Sequence, residues 1–354
     1  VEVSGPEEVD PGDVIRVNTT LITLPVSVTD RDGRYVPNLS RDDFRILEDG
    51  LEQDVAFFSS VDKPFSVVLM IDTSNSTRFR LEDIHEAAIT FVNQLRPDDS
   101  VMVVSFDDDI KVLSDFTLDR NRLNRAIRRA HTGDGTRLYD AVDMVINERL
   151  SQVTGRKAVV LFTDGVDTTS KRASYQSNVL DSEELDALIY PVQYDTFDDV
   201  GGGGVQNWPP RSRTDDIFGT ILGGIFGGGG RRGSRGGGPA PGTSRRDYDI
   251  ARRYLQDLSV RTGARKYEAD SIENLGSAFS NIAEELRRQY SIGYYPKRAP
   301  NQGERRQIRV RVNRPNLAVR ARDSYVFNQK ESTSASQDAQ KPPVLKKLNG
   351  PRGE

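Results

Sequence analysis

Phe65 to Ser76 reads FSVVLMIDTSNS, an apolar run that stops abruptly in oxygen-bearing side chains. Without polar alternation, such a run suits a strand buried on both faces of a parallel sheet. Arg80 to Leu95 follows with Leu81, Ile84, Ala88, Phe91 and Leu95 at three- and four-residue spacing, which predicts an amphipathic helix packed on that sheet. The cycle then repeats. Val101 to Phe106 reads as a strand, Ile110 to Phe116 as an edge strand, and Asp119 as the cap of a helix carrying Leu123, Ile127 and Ala130. Leu138 to Leu150 is expected to be helical, Ala158 to Thr163 (AVVLFT) a second fully buried strand, Glu183 to Leu188 a short helix, and Ile189 to Tyr194 a strand. Tyr248 to Val260 reads as a helix ended by Gly263, Arg265 to Tyr267 as a short strand, and Ser271 as the cap of a final helix bearing Leu275, Phe279, Ile282 and Leu286. This alternation predicts an α/β fold: a doubly wound, mostly parallel sheet flanked by helices over residues 64–289.

On either side of that unit the texture changes to period two. Between residues 14 and 63 the pairs Ile15/Val17, Leu24/Val26/Val28, Phe44/Ile46 and Val55/Phe57 read as strands, with Asp32-Gly33 and Asp49-Gly50 as turns. Asp30 and Asp32 resemble the start of a calcium loop, but the further ligands and terminal Glu are missing, so the turn reading is preferred. Over residues 290–327, Ile308, Val310 and Val312 point one way while Arg309 and Arg311 point the other. Neither group has enough apolar surface to stand alone, so both are expected to form one accessory β-sandwich. Residues 1–13 are taken as an extension, and residues 328–354 as a disordered tail. Sixteen of the 30 glycines fall between Gly201 and Gly242, marking 197–246 as a flexible insertion in the α/β unit.

Composition narrows the chemistry. The absence of Cys among 354 residues excludes disulfides, thiolate metal sites and a cysteine nucleophile. His85 and His131 are the only imidazoles, too few for a His-rich metal site; His85 is expected to be exposed on its helix, and His131 to cap a loop. Forty-nine Lys and Arg against 53 Asp and Glu give a net charge of -4, so no general attraction for nucleic acid follows. No apolar run reaches the ~18 residues that a membrane span needs. Because the first residue is Val1 rather than Met, a removed leader and an extracytoplasmic location (periplasm, cell surface or secreted) are expected.

Ligands of open α/β sheets sit at the carboxyl ends of the strands. Those ends here offer Asp72, Ser74 and Ser76 in DTSNS, Asp164 in FTDG, and Thr136 in the GDGT loop before Leu138. Two carboxylates and three hydroxyls, without nitrogen or sulfur, describe a hard-cation site. Mg2+ is the expected occupant, with Mn2+ or Ca2+ as alternatives. DTSNS taken alone also fits a helix-capping turn.

DTSNS, the GDGT loop and FTDG, in that chain order and on these elements, resemble the metal-ion-dependent adhesion site (MIDAS) of von Willebrand factor type A domains. The amino-terminal phrase DRDGRYVPNLSRDDFRILEDG is similar to VWFA-related proteins of the acidobacterial type. The resemblance implies that Ser74 and Ser76 bind the metal directly, that Thr136 does so directly or through water, and that Asp72 and Asp164 hold coordinated waters. It further implies cell adhesion or other protein binding, with a partner's Glu or Asp carboxylate completing the metal's coordination, and a movement of the last helix, here Ser271 to Gln289, on ligand binding. Asp107-Asp108-Asp109 is read as a solvated acidic hairpin in preference to a second cation site, and Ser174 to Asp181 as the place of a specificity loop.

The rival readings are weaker. A phosphotransfer enzyme built on Asp72 would need a second carboxylate where Ser74 stands, so the chain is not expected to be an enzyme. The tract GGGGRRGSRGGG could pair with phosphates, but few aromatics interleave it, so nucleic-acid binding remains the alternative and not the expectation.

Overall fold

The computed structural model describes residues 20–60, 64–75, 81–185, 187–194, 244–269 and 272–327. The expected extension, most of the Gly-rich insertion and the tail lie outside these. The amino-terminal alternation forms β1 (Ile22–Thr29), β2 (Phe44–Glu48), β3 (Leu51–Gln53) and β4 (Val55–Ser59). The Asp49-Gly50 turn joins β2 to β3 with both residues at positive φ, 49° and 83°, which is why Gly occupies the second place. The α/β unit follows as β5 (Phe65–Asp72), α1 (Leu81–Gln94), β6 (Ser100–Phe106), β7 (Ile110–Thr117), α2 (Arg120–Ile127), α3 (Leu138–Asp143), β8 (Arg156–Thr163), α4 (Tyr175–Glu184), β9 (Ala187–Gln193), α5 (Arg245–Thr262), β10 (Tyr267–Glu268) and α6 (Ile272–Arg288). The chain then returns through β11 (Tyr290–Tyr294), β12 (Arg305–Val312), β13 (Ala318–Arg320) and β14 (Ser324–Val326).

The central sheet has the order β10-β9-β8-β5-β6-β7, parallel except for the antiparallel edge strand β7. Alternate residues of β5 feed two cores. Val67, Leu69 and Ile71 pack with Phe91 of α1 and Phe279 and Ile282 of α6, while Val68 and Met70 pack with Leu138 of α3 and Tyr254 and Leu258 of α5. The chain leaves β5 toward β6 and later returns on its other side to β8, so the sheet reverses direction at β5.

The accessory unit is a pair of four-stranded sheets, β13-β1-β11-β4 and β14-β12-β2-β3, each mixing strands from both ends of the chain. Leu24, Val26, Ile46, Tyr290 and Ile292 fill the core between them. The sequence pattern missed an inward charge there: Arg306 is buried on the same face as Ile308 and pairs with buried Glu48 at 2.6 Å.

Four local expectations change. The segment 174–181 is not a loop but the body of α4, capped by Ser174. Its buried residues are Asn178, Ser182 and Glu183, so hydrophobic periodicity could not reveal it; Asn178 donates instead to the Tyr139 carbonyl and the Tyr254 hydroxyl. The short helix expected over 183–188 is consequently the end of α4 and the start of β9, held by parallel pairing of Ala187 with Lys157. The helix expected over 138–150 turns π-helical at Met144–Arg149. His85 is not exposed: it is half-buried, its Nε2 has no hydrogen-bond partner, and burial pulls its pKa below the usual 6.5 despite a hydrogen bond at Ala130.

Buried ion pairs tie the two units together. Glu285 of α6 is fully buried, accepts from Ser27 Oγ (2.8 Å) and Tyr35 Oη (2.9 Å), and pairs with Arg320 of β13. Glu183 of α4 is gripped by Arg261 of α5 at 3.0 Å and Arg305 of β12 at 2.6 Å. Removing Glu285 leaves Ser27 Oγ, Tyr35 Oη and the mostly buried Arg320 without their shared acceptor. Glu285→Ala should therefore lower stability by about 3–5 kcal/mol in urea unfolding, with both units still melting in one transition. For His85 the depressed pKa means that its stabilising contribution is complete above the ordinary value of 6.5 and is lost as pH falls through the lowered one. Between pH 7 and pH 5, wild type should lose more urea resistance than His85→Gln.

Candidate metal centre

Asp72 closes β5, and the pairing of Ile71 with Phe162 sets it beside Thr163 at the end of β8. Its two oxygens are already oriented: Oδ1 accepts the Ser74 backbone N–H at 2.9 Å and Oδ2 accepts the Thr163 hydroxyl at 2.6 Å. Asp164 comes one residue past β8 and accepts the Val166 N–H at 3.0 Å. Between them Gly165 turns at φ 85°, beneath α5. A Cβ on Gly165 would lie 2.9 Å from Leu255 Cδ1, so both the backbone angle and the close approach require glycine.

The third segment is held by backbone contacts. Gly133 N–H donates to the Thr73 carbonyl at 2.9 Å, and Arg137 N–H to the Asp107 carbonyl at 2.7 Å. Thr136 donates its N–H to Thr168 Oγ1 at 2.9 Å, and its carbonyl accepts from Thr168 and Thr169 at 3.0 and 3.1 Å. Asp72, Ser74, Thr136 and Asp164 thus lie at one edge of the sheet, each buried. Ser76, the remaining member of the expected set, lies outside the described residues.

Several supporting residues were missed in the sequence. Asp107 is not solvated: it is 1% exposed, accepts the Thr73 hydroxyl at 3.0 Å, and lies so close to Gly133 that a Cβ there would be 2.5 Å from its Cγ. Its neighbours Asp108 and Asp109 are exposed, as a hairpin tip would be. Asp140, fully buried, accepts N–H groups of Lys171, Arg172 and Ala173 and pairs with Arg137 at 2.7 Å. Burial pushes the Asp140 carboxyl up, but these donors outweigh it and hold it below the usual carboxylate range. It fastens the 167–173 loop beside Thr136. Its one signal in the sequence was its place in the first turn of α3. His131 is exposed.

The electrostatics differ at Asp72. Burial, then the negative charge of Asp164, push its pKa from 3.8 to about 7, against the opposing hydrogen bonds of Ser74 and Thr163. None of the groups acting most strongly on it is a cation. Among the described residues there is no cluster of three or more His, Cys, Asp or Glu side chains able to hold a metal. The side chains described at this edge, two carboxylates with hydroxyls, present oxygen alone, a set that suits a hard dication better than zinc or copper.

Residues 67–166 match the model of the von Willebrand factor type A domain. That match runs from β5 to the turn after β8 and so includes Asp72, Ser74, Thr136 and Asp164. Among solved structures, the chain is similar to the vWF domain of a type V pili tip protein from Porphyromonas gingivalis, at 28% identity over 31% of this chain and 40% of that one, with a TM-score of 0.29. It is also similar to a von Willebrand factor type A protein from Catenulispora acidiphila, at 12% identity over 82% and 75% of the two chains with a TM-score of 0.44. A third is the conserved hypothetical protein BatB from Bacteroides thetaiotaomicron, at 18% identity over 63% and 97% with a TM-score of 0.40. No curated protein matches the sequence significantly.

The two buried carboxylates repel when no cation lies between them. Asp72→Asn keeps the shape and an acceptor while removing one charge, so in EDTA at pH 8 it should melt roughly 2–4 °C above wild type. A lower melting temperature for the variant would show that the carboxylate pair is not a source of strain.

Proposed function

We propose that this protein binds a protein partner through a divalent cation held at the Asp72–Asp164 edge. The observation that carries this reading is the meeting of those two buried carboxylates at the sheet's reversal point. In the proposed site Asp72, Ser74, Thr136 and Asp164 hold the ion together with Ser76, which the sequence motif supplies. Mg2+ is the preferred ion, with Mn2+ or Ca2+ as alternatives. When bound, the ion supplies a coordination position for an acidic ligand, a partner's Glu or Asp carboxylate. The protein's own task is positional. Thr163 and the Ser74 amide fix the rotamer of Asp72; Gly133 and Asp107 hold the Thr136 loop against Thr73; Asp140 fixes the loop that flanks it.

A binding role and no catalysis is the reading that these residues favour, because the position that would carry a general acid is Ser74 and the exposed His131 has no carboxylate orienter among its described contacts. No helix among the described residues is long and apolar enough to cross a membrane. An extracytoplasmic setting is proposed with the adhesive reading. Nucleic-acid binding would rest on the Gly-Arg tract, outside the described residues.

Isothermal titration should show one Mg2+ per chain, lost in Asp72→Ala and in Asp164→Ala while circular dichroism stays unchanged. Tight Mg2+ binding that survives in both variants would refute the site.

A further inference from the structure

From Asp119 to His131 the chain reads DRNRLNRAIRRAH, five arginines with no acid after the first residue. Asp119 caps α2 by accepting the Arg122 N–H at 3.0 Å, and Leu123, Ala126 and Ile127 turn into the core. The last turn closes with N–H bonds from Arg128 to the Asn124 carbonyl and from Arg129 to the Ala126 carbonyl. Arg120 has a structural task, donating to the carbonyls of Arg96 and Asp99. Arg122, Arg125, Arg128 and Arg129 are exposed. At 3.6 residues per turn they fall within an arc of roughly 120°, on the side away from Leu123, Ala126 and Ile127.

This outer face carries one sign of charge. Among the described residues none of the four arginines forms an ion pair, and only Arg129 makes a side-chain hydrogen bond, to the Leu113 carbonyl of β7 at 2.8 Å. Like charges three and four residues apart on a helix repel, as Arg125 does with Arg122, Arg128 and Arg129. The helix dipole favours cations at the carboxyl end, which suits Arg128 and Arg129, but it disfavours Arg122 in the first turn. An anionic partner would offset both costs.

The surroundings select the kind of partner. Glu82 of α1 and Arg128 both act on His85, so exposed Glu82 and, one turn further on, exposed Glu86 lie toward the α1 side of the arginines. Toward β7 stands exposed Asp115, two residues past Leu113 on the same face of that strand. A convex helix face cannot enclose a small anion. A nucleic-acid duplex or an anionic bilayer, broad and negative throughout, would meet those flanking acids as well. A single acidic chain is narrow enough to lie on the arginines alone.

We infer that the outer face of α2 docks an acidic polypeptide segment, whose Asp and Glu carboxylates pair with Arg122, Arg125, Arg128 and Arg129. Guanidinium groups suit that task because their forked donors match a carboxylate in two parallel bonds. The inference needs no cation at the Asp72–Asp164 edge and stands apart from that reading.

The test uses the full chain in EDTA, where no metal can hold a carboxylate, so its failure leaves the metal site untouched. A glutamate octapeptide is titrated by NMR at low salt, with a glutamine octapeptide, a short DNA duplex and phosphatidylglycerol vesicles as comparison probes. Saturable shifts at residues 120–131 are expected, weakened by added salt and at least about tenfold weaker for the glutamine peptide. Arg125→Glu combined with Arg128→Glu should weaken the glutamate peptide at least about tenfold. Those side chains leave the core untouched, so the melting temperature should not fall. Arg309→Glu combined with Arg311→Glu makes the same change of net charge at exposed positions of β12 and should alter affinity less than about twofold. The proposal is overturned by no saturable response up to about 5 mM, by equal binding of the glutamine peptide, or by equal losses in the two double variants. Tighter binding of the duplex or the vesicles, lost in the α2 variant, would overturn it in favour of those partners.

Discussion

The hydrogen-bonded register between β5 and β8 governs the rest of the molecule. Parallel strands that pair Ile71 with Phe162 must finish side by side, so the residues that follow, Asp72 on one and Thr163-Asp164 on the other, cannot avoid each other. Both strands are buried on both faces, which fixes their position by packing before any polar contact is considered. The hydrophobic cores thus force two carboxylates into one dry place. The burial that drives Asp72 up to about pKa 7 is the electrostatic cost of that arrangement.

Around this pair the loops are held by contacts that permit little substitution. Gly165 and Gly133 are glycine for a shared reason, close approach of another group: Leu255 in one case and Asp107 in the other. Thr73, Asp107 and Gly133 form a closed chain of contacts, and Asp140 performs the equivalent service for the 171–173 backbone. Such fixed polar groups preserve a site's shape with or without its ligand.

Those ties make the sandwich more than an appendage. Its two sheets need strands from both chain ends, so neither end can complete a core without the other. Glu285 and Glu183 then bind α6 and α4 to sandwich residues through buried charges. The final helix of the α/β unit is therefore anchored from outside that unit, by Ser27, Tyr35 and Arg320.

The sequence by itself determined the elements whose burial is apolar and periodic. FSVVLMI and AVVLFT declare two-sided strands, Leu275, Phe279, Ile282 and Leu286 declare an inward helix face, and Asp49-Gly50 declares a hairpin. It also placed Asp72, Ser74 and Asp164 at strand ends, because a strand's end is visible where its apolar run stops, and Thr136 in the loop before the helix at Leu138. It failed where burial is polar. Helix α4 hides Asn178, Ser182 and Glu183 and so resembled a loop; Asp107 resembled a solvated acid; Asp140 and Arg306 gave no sign of their burial. Only the tertiary structure decided these, because a buried polar group is stabilised by partners far away in the chain. Glu285 meets Ser27 across 258 positions, Arg306 meets Glu48 across the same distance, and no local pattern carries that information.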